Sequence, residues 1–555
     1  MRIFVAVFSS SLVLIVFDYI LFKVNKSDIY FIPIQILVID FFVTLSLLSA
    51  PRIAYKLLFS YYQGRSKGIK EGIAIFGAGE SGIIAKRSID KDYLSVYKVS
   101  AFLDDDEKKI GKTIEGIKIY NIYENNFEEL VKQLNIKTLL IASQSISAHR
   151  KKELIEMCLG LNIKVKSVPR LERWINGELS LAQFQNVNIE DLLDRDEIVL
   201  DRRTISHQIS GKRILVTGAS GSIGSEIARQ LSHFYPEKIY LLDQAESPLY
   251  ELDMELREKM HFNNFEIVVG DIRNEIRMEH LFKSFRPHLV YHAAAYKHVP
   301  LMEDNPSEAI NTNVYGTKVL ADLSVKYEIE KFVFISTDKA VNPSSVMGCS
   351  KRIAEIYIQS LDEYLKKVGN QNYTQFITTR FGNVLGSNGS VMQIFRKQIM
   401  EGGPVTVTHP EITRYFMTIP EACQLVLEAG ALGKGGEIMI FDMGESIKIA
   451  DLAKKMIRLA GLELGKDIQI VFSGLRPGEK IKEELLNVKE TTLPTHHKKI
   501  LVAQVQSYNY ERAYRELYDL IRLFETQNNE SIVSKMKLIV PEFISKNSIF
   551  ENLDT

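Results

Sequence analysis

At 555 residues the chain is too long for a single core, so two or three domains are expected. Hydrophobic content of 46% beside 25% charged residues excludes both a disordered chain and a many-spanning membrane protein. Lys and Arg (69) balance Asp and Glu (69), leaving no global field to draw nucleic acid, and the three scattered cysteines, Cys158, Cys349 and Cys423, suit a reducing cytosol rather than a metal or disulfide framework.

The N-terminus departs from that average. Residues 3–22 and 30–48 are apolar runs broken only by Asp18 and Asp40. Each is about 20 residues, the length that crosses a ~30 Å hydrocarbon core. The polar stretch 23–28 reads as a turn, so residues 1–50 are expected to be two transmembrane helices. No small-residue cleavage site follows the first run, which argues against a signal peptide. Arg52, Lys56, Arg65, Lys67 and Lys70 then place the remainder of the chain in the cytoplasm by the positive-inside bias. Within this linker, 51–67, the aromatic stretch 55–62 suits the membrane surface.

Two strand–glycine–helix units follow. The first, Gly72 to Gly82, carries Gly77, Gly79 and Gly82 after a short apolar strand, and strands are expected at 99–103, before Asp104-Asp105-Asp106, and at 138–142. This alternation predicts a Rossmann-like domain over 68–190. A lone G-x-G-x-x-G also serves tight turns and close packing, so a structural or regulatory role is read ahead of a nucleotide site. Residues 191–211 form a connector.

The second unit opens a doubly wound α/β domain expected over 212–490. Strand 214–217 leads into Gly218-Ala-Ser220-Gly221-Ser222-Ile223-Gly224, where backbone amides at the start of helix 225–231 form a pyrophosphate cradle. Strand 239–242 ends in Asp243, placed to hold a ribose 2′-hydroxyl and to repel a 2′-phosphate, which selects NAD over NADP. Strand 266–269 ends at Asp271-Ile272, on the adenine side. Strand 288–292 runs into Ala293-Ala294-Ala295, small enough for the cofactor to pass closely. Several strand ends thus converge on one crevice. Strand 332–336 delivers Thr337-Asp338-Lys339, and Met347-Gly-Cys-Ser-Lys351 lies beyond it. Past 490, residues 491–555 read as one strand, 500–505, and a helix, 508–524, packed on the catalytic domain.

The strand-end Thr337 and the Met347-x-x-x-Lys351 spacing resemble the extended short-chain dehydrogenase/reductase family, with a methionine where that family has a tyrosine. A thioether cannot accept a proton. With the 293–300 run, Ser336-Thr-Asp-Lys-Ala340, Arg380 to Gly386 and Leu475-Arg-Pro-Gly-Glu-Lys480, the chain is similar to membrane-bound nucleotide-sugar 4,6-dehydratases of bacterial capsule, lipopolysaccharide and protein-glycan synthesis. The resemblance covers the anchor and both α/β domains, although such proteins often carry four spans and two are read here.

It implies a multi-pass protein of the bacterial inner membrane, a homo-oligomer, with NAD as cofactor, a UDP-sugar as substrate (UDP-N-acetylglucosamine first), a small substrate lobe and no metal. NAD oxidises the sugar at C4, a base removes the acidified C5 proton, an acid helps the C6 hydroxyl leave, and hydride returns to C6. Lys339 is then the expected base and Asp338 the acid and the acceptor of the C4 hydroxyl proton, provided the cleft moves both groups toward neutrality. Thr337 binds that hydroxyl, and Lys351 the nicotinamide ribose. Lys297, His298, Asn383, Arg414, Arg476 and Glu479 are expected at the substrate, and Asn313 at the cofactor site. For His298 a packed core position is an equal alternative. A nucleotide-sugar 4-epimerase and a non-catalytic scaffold are the competing readings.

Overall fold

The computed structural model describes the chain except residues 1, 26–31, 66–69, 93–94, 124–126, 170–178, 188, 193–197, 199, 370–372, 487–490, 506–507 and 555. It divides into two compact units, one of residues 1–143 with 168–184 and one of 144–167 with 185–555.

The first unit begins with helices Arg2–Asn25 and Ile34–Arg65, in contact where the Phe8 and Phe41 rings meet edge-on at 6.5 Å. Ile34–Tyr55 is long and apolar enough to cross a membrane. Two spans were expected from the sequence; among the described residues one helix is long and apolar enough to cross a membrane, and the described apolar stretch of the first helix is Val7–Phe17. The expected turn at 26–28 lies outside the described residues. The second helix also runs without a break through Pro51 into the segment read as a separate linker. Its 32 residues extend roughly 48 Å at 1.5 Å per residue.

The same unit holds a sheet in the order Thr113–Ile114, Ile117–Tyr120, Tyr97–Leu103, Glu71–Phe76, Ile136–Ile141. In its glycine loop Gly77 has φ +102°, and a Cβ on Gly82 would stand 2.0 Å from the Gly77 carbonyl oxygen. These glycines are therefore required for the turn itself. Asp104, at the end of Tyr97–Leu103, accepts the Ala78 amide at 2.7 Å and pairs with Lys109 at 3.1 Å.

The second unit is built on a nine-stranded sheet. From one edge its order is Phe265–Val269, Lys238–Asp243, Arg213–Thr217, Leu289–His292, Lys331–Thr337, Gln375–Phe381, Ile438–Phe441, Ile500–Gln504 and Thr491–Pro494. The pairs are parallel up to Ile438–Phe441 and antiparallel in the last two. Its central strands are apolar on both faces, as a sheet covered on both sides demands. Leu215, Val290, Phe332 and Phe334 join the core under helices Glu275–Phe285, Thr317–Lys326 and Val346–Val368. Ile214, Val216, Leu289, Tyr291 and Val333 join the core under Ser222–Leu231 and Ile419–Leu432. The strand order reverses between Arg213–Thr217 and Leu289–His292, which opens the crevice where such sheets bind ligands.

A small lobe follows, made of three short strand pairs and helices Val391–Met400 and Ile449–Leu459. The tail is more extensive than one strand and one helix. Two strands extend the sheet, and helices Tyr510–Leu523 and Asn529–Ile539 bury Leu517, Ile532 and Met536 in the core that also holds Met347 and Ile353. Beyond them, the Ile544 amide bonds Pro343 O (3.1 Å), the Lys546 amide bonds Ser344 O (3.2 Å), and the Gly478 amide bonds Lys546 O (2.7 Å). The tail thereby ties the entry to the long helix Val346–Val368 to the Arg476–Glu479 loop.

Candidate active site

A cavity of about 560 Å³ lies over the strand ends of the second unit. Its floor is the glycine loop. Gly218 has φ +66° and a Cβ there would lie 2.6 Å from the Ala294 nitrogen; a Cβ on Gly224 would lie 2.1 Å from Gly218 O. Helix Ser222–Leu231 starts from Gly221 with no side-chain cap, so its first amides remain available to an anion. Gly218, Gly221, Ser222, Ile223, Gly224, Ala293 and Ala295 line the cavity. Asp243 stands at its strand end, accepting the Ser220 amide (3.1 Å) and the Ala245 amide (3.0 Å). This cradle fits a dinucleotide.

Other residues expected at the cofactor are engaged within the protein. Asp271 is held by Arg273 at 2.7 Å, and Ile272 is a core residue against which a Cβ on Gly316 would lie 2.6 Å away. Ala294 presses its backbone on Gly218. Asn313 sits in a π-helical turn, Ile310–Gly316, fully buried. Its carboxamide bonds the Tyr296 amide (2.8 Å), the Tyr296 carbonyl (3.0 Å) and Ser350 Oγ (2.9 Å). It fixes the 293–298 loop to the long helix and does not line the cavity.

At the far end the strand Lys331–Thr337 turns into a short 3₁₀ segment, Asp338–Ala340. A Cβ on Gly348 would stand 2.2 Å from Lys339 O, so the glycine after Met347 lets the long helix seat on this turn. Thr337, Lys339, Met347, Lys351, Asn383 and Arg414 line the cavity with Lys297, His298, Arg476 and Glu479. The His298 ring packs on Gly389, where a Cβ would come within 2.6 Å, so it is both wall and packed residue.

Asp338 differs from expectation: it is 1% exposed and absent from the cavity wall. Its Oδ1 accepts from Thr337 Oγ1 and Lys339 Nζ, both at 2.9 Å, while Oδ2 is buried without a partner among the described residues. Lys339 also differs. Burial alone would lower its pKa, but Asp338 and Glu483 (3.7 Å) outweigh burial and the nearby Arg414, leaving it above the usual lysine value. Asn383 Oδ1 accepts from the same ammonium at 2.9 Å. The acid and base were expected side by side and near neutrality; the cavity instead presents a charged lysine with the carboxylate behind it.

Glu483 was missed by the sequence reading. It lines the cavity between Lys339 and Arg414 Nε (3.6 Å), and Arg414 also reaches Glu479 at 3.3 Å. The available signal was its position four residues after Glu479 in an otherwise solvent-like Lys-Ile-Lys-Glu-Glu run.

Lys351 is 5% exposed, its Nζ 3.9 Å from the centre of the Phe334 ring, and burial brings its pKa down to about 7. Beneath it Glu355 is held by Arg380 (2.6 Å), Arg352 (3.1 Å) and Ser336 Oγ (2.7 Å).

Glycine cradle, strand-end Thr337 and helix-borne Lys351 together define an extended short-chain dehydrogenase/reductase. Residues 214–505 match the model of a family described as polysaccharide biosynthesis protein, and the chain belongs to that family. It is 46% identical over 469 residues to the capsular polysaccharide biosynthesis protein CapD of Staphylococcus aureus, covering 84% of this chain and 77% of that one. It is 34% identical over 283 residues to a UDP-glucose 4-epimerase of Rickettsia canadensis, covering 50% and 79%. It is 31% identical over 286 residues to an inverting UDP-N-acetylglucosamine 4,6-dehydratase of Campylobacter jejuni, covering 51% and 80%.

Proposed function

We propose that the chain is an NAD-dependent 4,6-dehydratase of a UDP-sugar, UDP-N-acetylglucosamine first, serving surface polysaccharide or protein-glycan synthesis. The helix Ile34–Tyr55 anchors it in a bacterial inner membrane, with the catalytic unit on the cytoplasmic side, where the basic residues after Arg52 lie. The observation that carries this reading is the Lys339–Asp338 pair at the strand end, opposite a methionine in place of the proton-accepting tyrosine. Exchange of a C4 configuration needs no proton carrier for C5 and C6; loss of water does.

The amides of the 218–224 loop would hold the NAD pyrophosphate, and Asp243 the adenosine ribose. When bound, NAD supplies a hydride acceptor at C4 and the donor at C6. Gly224→Ala is expected to abolish binding, because its Cβ would stand 2.1 Å from a backbone oxygen. Calorimetric titration with NAD checks this, and unchanged affinity would remove the loop from the site.

Thr337 on the wall binds the C4 hydroxyl. Lys339 rests as an ammonium, so it becomes a base by passing one proton to Asp338, 2.9 Å away. The resulting amine takes the C5 proton, and as an ammonium again it gives a proton to the departing C6 oxygen. Asp338, off the wall, serves as the proton store behind Lys339. The proton released from the C4 hydroxyl balances the one needed to reprotonate C5. Arg414 and Arg476 suit the diphosphate.

A 4-epimerase is the second reading, favoured by the 34% identity to such an enzyme. Incubation of the detergent-solubilised chain with UDP-N-acetylglucosamine separates the two by mass. The dehydratase product is lighter by one water; an isomer of unchanged mass would establish the epimerase, and untouched substrate a scaffold.

A further inference from the structure

Oxidation of a hydroxyl needs a group to take its proton, and position 347 offers a thioether. Several of the other polar groups on the cavity wall are committed. Thr337 Oγ1 donates to Asp338, and Ser345 Oγ accepts the Gly348 amide at 3.1 Å as the cap of the long helix. Lys339 is an ammonium with Asp338, Asn383 and Glu483 around it. Tyr296, a phenol on the wall, has its backbone amide and carbonyl fixed by Asn313.

We propose that Lys351 takes the proton of the hydroxyl that is oxidised, filling with an amine the role that Met347 cannot. The assignment rests on the nicotinamide-linked oxidation proposed above, but not on whether dehydration or epimerisation follows it.

Four observations converge on Lys351. It stands one helical turn after Met347 on Val346–Val368, so both side chains leave the same face of the helix into the same cavity. Among the described residues it makes no hydrogen bond or ion pair, and its ammonium lies 3.9 Å from the centre of the Phe334 ring. The nearest carboxylate, Glu355 on its own helix, is already matched by Arg352 from the same helix and by Arg380 from Gln375–Phe381. His292 from Leu289–His292 is buried between Thr217 Oγ1 (2.7 Å) and Thr317 Oγ1 (2.9 Å), and burial followed by the Lys351 charge keeps it neutral. Every element packed around Lys351 therefore leaves the ammonium without a counter-charge of its own. Burial outweighs the pull of Glu355, and an amine that titrates at about 7 is free to accept a proton at neutral pH.

The step balances. The O–H bond breaks, its electron pair becomes the second bond of the C4 carbonyl, and the hydrogen on C4 leaves as hydride to the nicotinamide, the oxidant. Lys351 goes from amine to ammonium and later returns that proton toward Lys339.

Single-turnover mixing of NAD-loaded protein with UDP-N-acetylglucosamine, followed by the absorbance of reduced nicotinamide, reads this step alone. Lys351→Met is expected to slow that signal by about 10²-fold or more, the usual contribution of a general base. Lys351→Arg, which keeps donors for a ribose but holds its proton, is expected not to rescue it while NAD content stays unchanged. A carbon-13 titration of lysine Cε in the full chain should show one resonance with a midpoint near 7 that is missing in Lys351→Arg. A signal restored by arginine, a midpoint in the usual lysine range, or a loss seen with His298→Ala but not with Lys351→Met would each overturn the assignment. If the wild type reduces no nicotinamide with the sugar, the proposed function fails and takes this step with it. A normal wild-type signal that Lys351→Met leaves intact refutes Lys351 alone.

Discussion

Lys339→Ala is expected to abolish formation of the ultraviolet-absorbing 4-keto product while the protein retains its NAD. Lys339 lines the cavity on the sugar side, and its contacts run to Asp338, Asn383 and Glu483 rather than to the glycine loop. Its removal therefore deletes proton transfer at C5 and C6 without touching the cradle at Gly218–Gly224. A lost base and acid in one group each contribute typically ~10²–10⁴-fold, so kcat should fall below detection. Lys339→Arg should fail as well, since a guanidinium cannot surrender its proton to Asp338. Transient reduction of nicotinamide should survive in both variants, because C4 oxidation precedes the step that Lys339 carries. Product formed at an undiminished rate would show that some other group takes the C5 proton.

Local pattern made the nine-stranded sheet and its glycine cradle legible, because buried parallel strands leave continuous apolar runs that end in Gly218, Asp243 and Thr337. What pattern could not show was which way a side chain turns at a strand end. Asp338 and Lys339 are neighbours in sequence, yet the 3₁₀ turn puts one on the cavity wall and the other beneath it. The upward shift of Lys339 comes first from Asp338 beside it and then from Glu483, which is 144 residues away in sequence. The resemblance put Asn313 at the cofactor site, but its partners there, Tyr296 and Ser350, are tertiary neighbours that spacing alone could not name. Helix Asn529–Ile539 was missed because its hydrophobic face has meaning only against the long helix it covers.

Glu355→Ala should be the most destabilising single change near the site, at about 3–5 kcal/mol. The carboxylate is completely buried and binds Arg380 through two nitrogens, at 2.6 and 2.8 Å, with Arg352 and Ser336 beside it. Truncation takes from the Arg380 guanidinium, itself 1% exposed, the carboxylate that both of its bonding nitrogens face beneath strand Lys331–Thr337. Burial by itself would raise the Glu355 pKa, but the two arginines and Ser336 bring it down to about 2 from 4.5. A depressed folded-state value means that this stabilisation is complete above 4.5 and is lost as pH falls toward 2, a difference of about 3 kcal/mol. Wild-type protein should therefore weaken over that window, and the variant, lacking the group, should lose that part of its acid sensitivity. Hydrogen exchange of the Gln375–Phe381 amides reads both effects in the intact chain. A cost below about 1 kcal/mol, or an unchanged acid profile, would mean that water or a rearranged side chain compensates Arg380. Because Ser336 is the residue before Thr337, the same variant should also loosen the strand end that presents Thr337 and Lys339. Its activity is thus expected to fall further than the folded fraction alone explains.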